Sequence, residues 1–284
     1  MVHCYNSEKW LKQCLDSIFS QKTKYQFQVL IIDDCSTDNT KNIAHNFIKN
    51  HSNLHFFSTK KNTGLGKHAL LDLEEEIKPF FNTDYIYRID SDDFIIDSSK
   101  FEKQISYLDK NLDCVGICHH YRVDDEINNK SYINNAALVG TFSSAEVVKL
   151  INKANLYNQT ATYLFRNIDK DIMPTKFKLT KWASGDVLYT WNMMKYGSIC
   201  FTDDVMSVYR LHKDGAYNSK TDSKKKKVNR SLLIMVFIFM SPRNKLLRLK
   251  ILAHEGLIIL LKKLIIKPIN TIKNKLINFK KNEK

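Results

Sequence analysis

Tyr85-Ile86-Tyr87-Arg88-Ile89-Asp90-Ser91-Asp92-Asp93-Phe94 sets an aromatic and β-branched run directly against a cluster of carboxylates. Residues 85–89 read as a strand, and the acidic cluster marks its end. Carboxylates crowded at one point repel one another and lose hydration, so something cationic must compensate them, most simply a hard divalent metal on oxygen ligands. Such metals, held by one or two side-chain carboxylates, keep positions for phosphate oxygens. Two readings stand at this point: a metal-assisted site for a phosphorylated substrate, and a solvated acidic turn that caps the next helix.

Upstream, the same grammar repeats. Val2 and His3 form the stump of a strand that stops at Cys4-Tyr5-Asn6-Ser7, and Ser7 caps a helix over residues 8–20 with Trp10, Leu11, Cys14, Leu15 and Ile18 on one face. Residues 27–32, apolar at every position except Gln28, suit a strand buried on both faces, closed by Asp33-Asp34. Ser36, Thr37 and Asp38 open a helix to about residue 50, residues 54–58 give a third strand, Asn62-Thr63-Gly64-Leu65-Gly66 a turn, and residues 67–78 a third helix. Strands alternating with helices imply a parallel sheet wrapped by helices, whose ligands sit at the carboxyl ends of the strands. Tyr5, the Asp33-Asp34 pair and the acidic cluster all fall at such ends.

Composition narrows the class. The chain has 284 residues, 43% of them hydrophobic, with only 8 Gly and 4 Pro, which suits a globular core and excludes low-complexity disorder for most of it. Six scattered cysteines, Cys4, Cys14, Cys35, Cys114, Cys118 and Cys200, favour a reducing compartment. Cys114, Cys118, His119 and His120 suggest zinc, but residues 115–123 read as a strand on which neighbours face opposite ways, and a buried strand is preferred. Charge is uneven: residues 224–284 hold 17 Lys and Arg against Glu255 and Glu283, a net +15, while the remainder holds 27 against 28. Apolar stretches interleave with these lysines without reaching the ~20 apolar residues of a membrane span. Roughly helical spacing over residues 246–277 is expected to lay an apolar face in a lipid interface with lysines on anionic headgroups. Packing on the main domain and binding of nucleic acid are the competing readings of the tail, the latter disfavoured by so much aliphatic surface.

The strand–Tyr-Asn, strand–Asp-Asp-Cys-Ser-Thr-Asp, Asn-Thr-Gly and Asp-Ser-Asp-Asp motifs, in this order, resemble the nucleotide-diphospho-sugar half of glycosyltransferase family 2, with the GT-A fold. Ala183-Ser184-Gly185-Asp186 and Tyr209-Arg210-Leu211-His212-Lys213-Asp214-Gly215 resemble the acceptor-side motifs of its bacterial members. The resemblance covers residues 2–219. It implies an α/β fold with a Rossmann-like, mainly parallel sheet flanked by helices, split into a nucleotide-sugar half (1–118) and an acceptor half (119–223), followed by a basic, helical extension (224–284). It also implies an inverting, metal-dependent transfer from a nucleotide-diphosphate sugar, a UDP-sugar, to a glycan or lipid-linked glycan of bacterial surface polysaccharide, on the cytoplasmic face of the plasma membrane.

The resemblance also implies roles. Tyr5 would stack on uracil, Asp34 would accept its N3 hydrogen, and Asp33 would brace the strand end or meet the nucleoside. Asn62, Gly64 and Lys67 would border the nucleotide, although His68 and Leu71-Asp72 stand where many members carry a basic residue and an Asn. Asp93 would ligate the metal, Asp92 would share that work or contact ribose, and Asp90 would support them. His212 would be a further ligand or a phosphate contact, and an imidazole suits manganese more than magnesium. Asp186 would be the general base, with Gly185 giving close approach of the acceptor. Trp182 and Trp191 would line the acceptor pocket.

Three other functions compete. A sugar-phosphate nucleotidylyltransferase needs a Gly-rich basic loop after the first strand, where this chain has Tyr5-Asn6-Ser7-Glu8-Lys9-Trp10. A non-catalytic nucleotide-sugar-binding protein at the membrane has no need of Asp93, Asp186 and His212 together. A nucleic-acid binder has no basic groove to use in a neutral main domain. The donor sugar, the acceptor and the oligomeric state are not encoded in any motif found.

Overall fold

In a computed structural model the described residues are 1–64, 66–134, 139–143, 146, 159–168, 189–190 and 192–215. A first sheet has the order β3-β2-β1-β5, built from β1 (Val2–Cys4), β2 (Val29–Asp33), β3 (Leu54–Ser58) and β5 (Ile89–Asp90), and each neighbour pair is parallel. All five residues of β2 are buried, the four aliphatic ones as a central strand covered on both faces requires, and the fifth is the carboxylate Asp33. Helix α1 (Leu11–Phe19) buries Leu11, Cys14, Leu15 and Ile18, and α2 (Thr40–Ile48) buries Thr40 and Ala44. Leu11, Cys14, Leu15, Ile18 and Ala44 join Val2, Ile31, Ile89, Ile105 and Leu108 in one core cluster.

The opening string serves two sheets. Tyr85–Tyr87 is β4, an edge strand antiparallel to β10 (Leu164–Arg166), whereas Ile89–Asp90 crosses to β1 in the first sheet, with buried Arg88 between them. The expected single strand is thereby divided, and the acidic cluster is delivered beside the ends of β1 and β2. The second sheet runs β4-β10-β7-β11-β6, with β6 at Phe94–Ile95, β7 at Cys114–Asp125 and β11 at Ser198–Leu211. Strands β8 (Lys130–Asn134) and β9 (Gly140–Phe142) pair with β7 and β11. Of these pairings only β7 with β11 is parallel, so the parallel expectation applies to the first sheet and the second is mixed.

Other expectations shift in detail. The third helix is interrupted at Leu73 into α3 (Gly66–Asp72) and α4 (Glu74–Ile77), then tightens to a 3-10 turn at Lys78–Phe81 containing Pro79. Strand β7, within which the approximate boundary near residue 118 falls, is covered by α5 (Lys100–Lys110). Cys4, Cys14, Cys35 and Cys118 are not in disulfides, but Cys114 and Cys200, on the paired strands β7 and β11, are joined as one, which the reducing-compartment expectation did not foresee. The chain divides into two units, Met1–Leu232 and Leu233–Lys284, the second wholly outside the described residues. Among the described residues no helix is long and apolar enough to cross a membrane.

Candidate functional site

The rim of the first sheet is built by polar side chains that tie strand ends together. At the end of β1, Asn6 adopts φ 49°, a turn that Asn tolerates. It is held there because its N–H donates to Ser36 Oγ (2.9 Å) and its Oδ1 accepts from Thr37 N (2.8 Å). The turn leaves the preceding Tyr5 ring 51% exposed, a free aromatic face at the mouth of the rim. Cys35, φ 61°, makes the matching turn after β2.

Asp33 and Asp34 are both buried there, and both organise loops. Asp33 accepts from Ser36 Oγ, from Ser36 N (3.1 Å) and from Ser58 Oγ (2.7 Å) at the end of β3. Asp34 accepts from Thr63 N and Oγ1 (both 2.8 Å), Gly64 N (3.1 Å) and Thr59 Oγ1 (3.3 Å). Gly64, at φ 77°, has the backbone freedom this turn needs. Asp34 therefore fixes the Asn62-Thr63-Gly64 loop to the strand end, with Asn62 and Gly64 exposed. Lys67 lies on α3, and its side chain falls outside what is described.

The acidic cluster hangs on the same rim. Ser91 N donates to His3 O (2.9 Å), and Ser91 Oγ and Ser7 Oγ lie 2.6 Å apart in the buried interior. Asp92 stays partly exposed and meets His212, Oδ2 to Nε2 3.0 Å. Asp93 is 1% exposed; its Oδ1 accepts from Arg210 N (2.9 Å) and its Oδ2 from Gln159 Nε2. Burial, aided by the charges of Asp92 and Asp90, pushes the Asp93 carboxyl well above the usual range, with Arg210 opposing. His212 is 5% exposed and packs against Trp10, ring centroids 4.1 Å apart.

Asp92 and His212, separated by 120 residues, thus form an oxygen and nitrogen donor pair of which only Asp92 is partly exposed, while Asp93 is buried in hydrogen bonds to protein groups. Among the described residues no three His, Cys, Asp or Glu side chains are grouped to hold a metal. Two protein donors fit a divalent cation whose remaining positions are filled by substrate oxygens and water. Asp186, Gly185, Trp182 and Trp191 lie outside the described residues. Sequence reasoning did not find Gln159, whose Oε1 accepts from Ala161 N (2.7 Å) while its amide meets Asp93. No local pattern announces a contact across 66 residues. Trp10 was read only as part of a helix face.

A parallel sheet that gathers aromatic and acidic strand ends at one rim, beside a mixed sheet that brings a histidine to them, is the layout of a GT-A α/β protein. The chain belongs to Glycosyl transferase family 2, which its sequence matches over residues 1–173. An uncharacterized protein of Mycobacterium tuberculosis is 26% identical over 229 residues, 78% of this chain and 61% of that protein. Poly(ribitol-phosphate) beta-N-acetylglucosaminyltransferase TarS of Staphylococcus aureus is 25% identical over 226 residues, 77% of this chain and 36% of that one. The chain therefore spans less than two thirds of the length of these relatives. The structure of S. aureus TarS 1–349 with UDP-GlcNAc aligns at TM-score 0.60 and 19% identity, covering 84% of this chain and 64% of that one. Mannosyltransferase PcManGT from Pyrobaculum calidifontis, in complex with GDP-Man and Mn2+, aligns at TM-score 0.52 and 14% identity, covering 91% and 79%. At these identities the two structures speak for the fold.

Proposed function

We propose that the chain is an inverting, metal-dependent glycosyltransferase that moves a sugar from a UDP-sugar to a hydroxyl of a glycan or lipid-linked glycan in bacterial surface polysaccharide synthesis. The observation that carries this reading is the meeting of Asp92 with His212 at 3.0 Å, on the rim that also presents Tyr5 and the Asp34-anchored loop, in a member of this family. The UDP-GlcNAc bound to TarS supports the donor class, and the poly(ribitol-phosphate) in that enzyme's name supports a polymer as acceptor. The Mn2+ of PcManGT supports a divalent metal, and the imidazole of His212 suits manganese more than magnesium.

In this reading the exposed Tyr5 ring offers an apolar face to the base, at little cost in side-chain entropy. Asp34 acts on the nucleoside directly or through the loop it holds, and Asp33 braces the strand end. Asp92 and His212 would hold the metal, while Asp93, the direct ligand expected from the sequence, is engaged by Arg210 N and by the Gln159 side-chain amide and so ties the acidic cluster to the end of β11. A divalent cation bound there would neutralise charge growing on the departing diphosphate. Asp186 takes the proton of the acceptor hydroxyl as it attacks from the face opposite the leaving group, and a single displacement inverts the anomeric centre.

The test is a hydrolysis and thermal-shift screen of nucleotide sugars with and without manganese, followed by the Asp186→Asn variant. Stabilisation by UDP or one UDP-sugar, dependent on manganese, is expected. Asp186→Asn is expected to lose at least about 100-fold in transfer, the usual worth of a general base, with UDP binding kept. Normal turnover by that variant excludes Asp186 as the base, and no response to any nucleotide sugar overturns the reading.

A further inference from the structure

Two contacts tie the start of α1 to the end of β11. Trp10, at the cap of α1, lies against the His212 imidazole with ring planes 40° apart, and Gln13 Oε1 accepts from Arg210 Nη2 at 2.7 Å. Positions i and i+3 are neighbours on a helix surface, and alternate positions of an extended segment share a face. The two gripped residues are also the two that hold the aspartates: Arg210 N–H donates to Asp93, and His212 Nε2 meets Asp92. Trp10 stands apart from the stripe by which α1 enters the core, which is Leu11, Cys14, Leu15 and Ile18.

We propose that Trp10 is a positioning residue that fixes the plane of His212 and so sets how tightly the metal and diphosphate are held together; this rests on the metal-dependent transferase reading above. The hydrogen bond to Asp92 places one ring nitrogen, but hydrogen-bond geometry tolerates some tilt of the ring plane, and the histidine χ2 well is broad. A ring face packed at 4.1 Å removes that freedom. His212 is then presented pre-oriented, and less entropy is lost when it takes up a ligand.

The test uses the full chain, with UDP binding followed by calorimetry at stepped manganese concentrations and the melting temperature measured beside it. Trp10→Leu, which keeps apolar bulk, is expected to melt with the wild type yet need about fivefold more manganese for half-maximal UDP binding, the scale of one aromatic ring contact. Trp10→Phe is expected to restore the wild-type requirement to within about twofold, since a phenyl face suffices to stop rotation. A merely structural role moves the melting temperature and leaves the manganese requirement alone. Trp10→Leu with an unchanged requirement overturns the proposal, as does Trp10→Phe failing to rescue. If the wild-type chain shows no manganese-dependent UDP binding at all, the transferase reading falls and takes this inference with it.

Discussion

His3 sits in β1 between the two strands that end at the rim, and its Nδ1 has no hydrogen-bond partner among the described residues. Burial, with the Arg88 guanidinium close by, pulls its pKa down from 6.5 to about 3. The unfolded chain takes up this proton below pH 6.5 and the folded chain does not until about pH 3, so stability is complete above pH 6.5 and declines as the pH falls through that window. At pH 5 this one histidine costs roughly 2 kcal/mol. Urea unfolding at pH 7 and pH 5 is expected to show that loss, and His3→Gln is expected to reduce it by a similar amount; an unchanged pH slope in the variant means that His3 is hydrated in the folded state. His119 on β7 adds to the same limb, since burial, with the nearby Lys100 charge adding to it, holds it well below its usual value. At this scale the sequence made the residue types legible but not their commitments. Asp33, Asp34, Asp92 and Asp93 were all marked by their place at strand ends. That Asp34 organises the loop, and that Asp93 is buried beneath its neighbour, depends on donors from distant segments, Thr63 and Gln159.

The elements were legible where one hydrophobic period sufficed. α1, α2, β2 and β3 lie where their apolar spacing puts them. The Tyr85–Tyr87 and Ile89–Asp90 pieces were not separable, because alternation in a strand reports which face is buried and not which sheet it joins. The pairing of β7 with β11 was invisible for the same reason, yet it carries His212 to the rim. This pairing depends on close approach at its start. A Cβ on Gly197 would stand 2.5 Å from the Asp113 carbonyl oxygen and 2.6 Å from Val115 Cγ1. That carbonyl accepts from Ser198 N (2.9 Å), so it cannot withdraw without breaking the contact that starts β11. A Cβ on Gly116 would meet the Phe165 ring at 2.5 Å, and that ring is itself packed between Tyr163 and Tyr189. Both Gly→Ala changes are expected to destabilise by about 1–3 kcal/mol, as overpacking does, with Gly197→Ala the costlier because backbone yields less than a ring. Chemical denaturation of the two variants checks the order, and equal or reversed losses mean that the Phe165 cluster, not the strand start, is the rigid part.

At the scale of the molecule, charge is divided between two segments. In the proposed reading, a main domain of nearly balanced charge would leave nucleotide recognition to local groups such as Asp34, Asp92 and His212, whereas the +15 of residues 224–284 has no counterpart in it. We propose that this segment brings the chain to anionic lipid, where a lipid-linked acceptor would lie. Each lysine or arginine near an anionic surface contributes about 1 kcal/mol, and the attraction fades over a Debye length of about 10 Å at 0.1 M salt. Purely electrostatic binding would vanish at high salt. The aliphatic runs of residues 232–240, 257–261 and 264–266 add a component that salt does not weaken. The full chain is therefore expected to float with anionic vesicles at low salt, to bind zwitterionic vesicles far less, and to keep part of its binding in high salt. Replacing Lys262, Lys263 and Lys267 by Gln should weaken anionic binding by roughly 3 kcal/mol if all three reach the surface. It should leave UDP affinity unchanged, because the proposed donor site lies on the other segment. Failure of the full chain to float with anionic vesicles at low salt removes the membrane role while leaving the transferase reading intact, and a loss of UDP binding in the lysine variant would show instead that the tail serves the site.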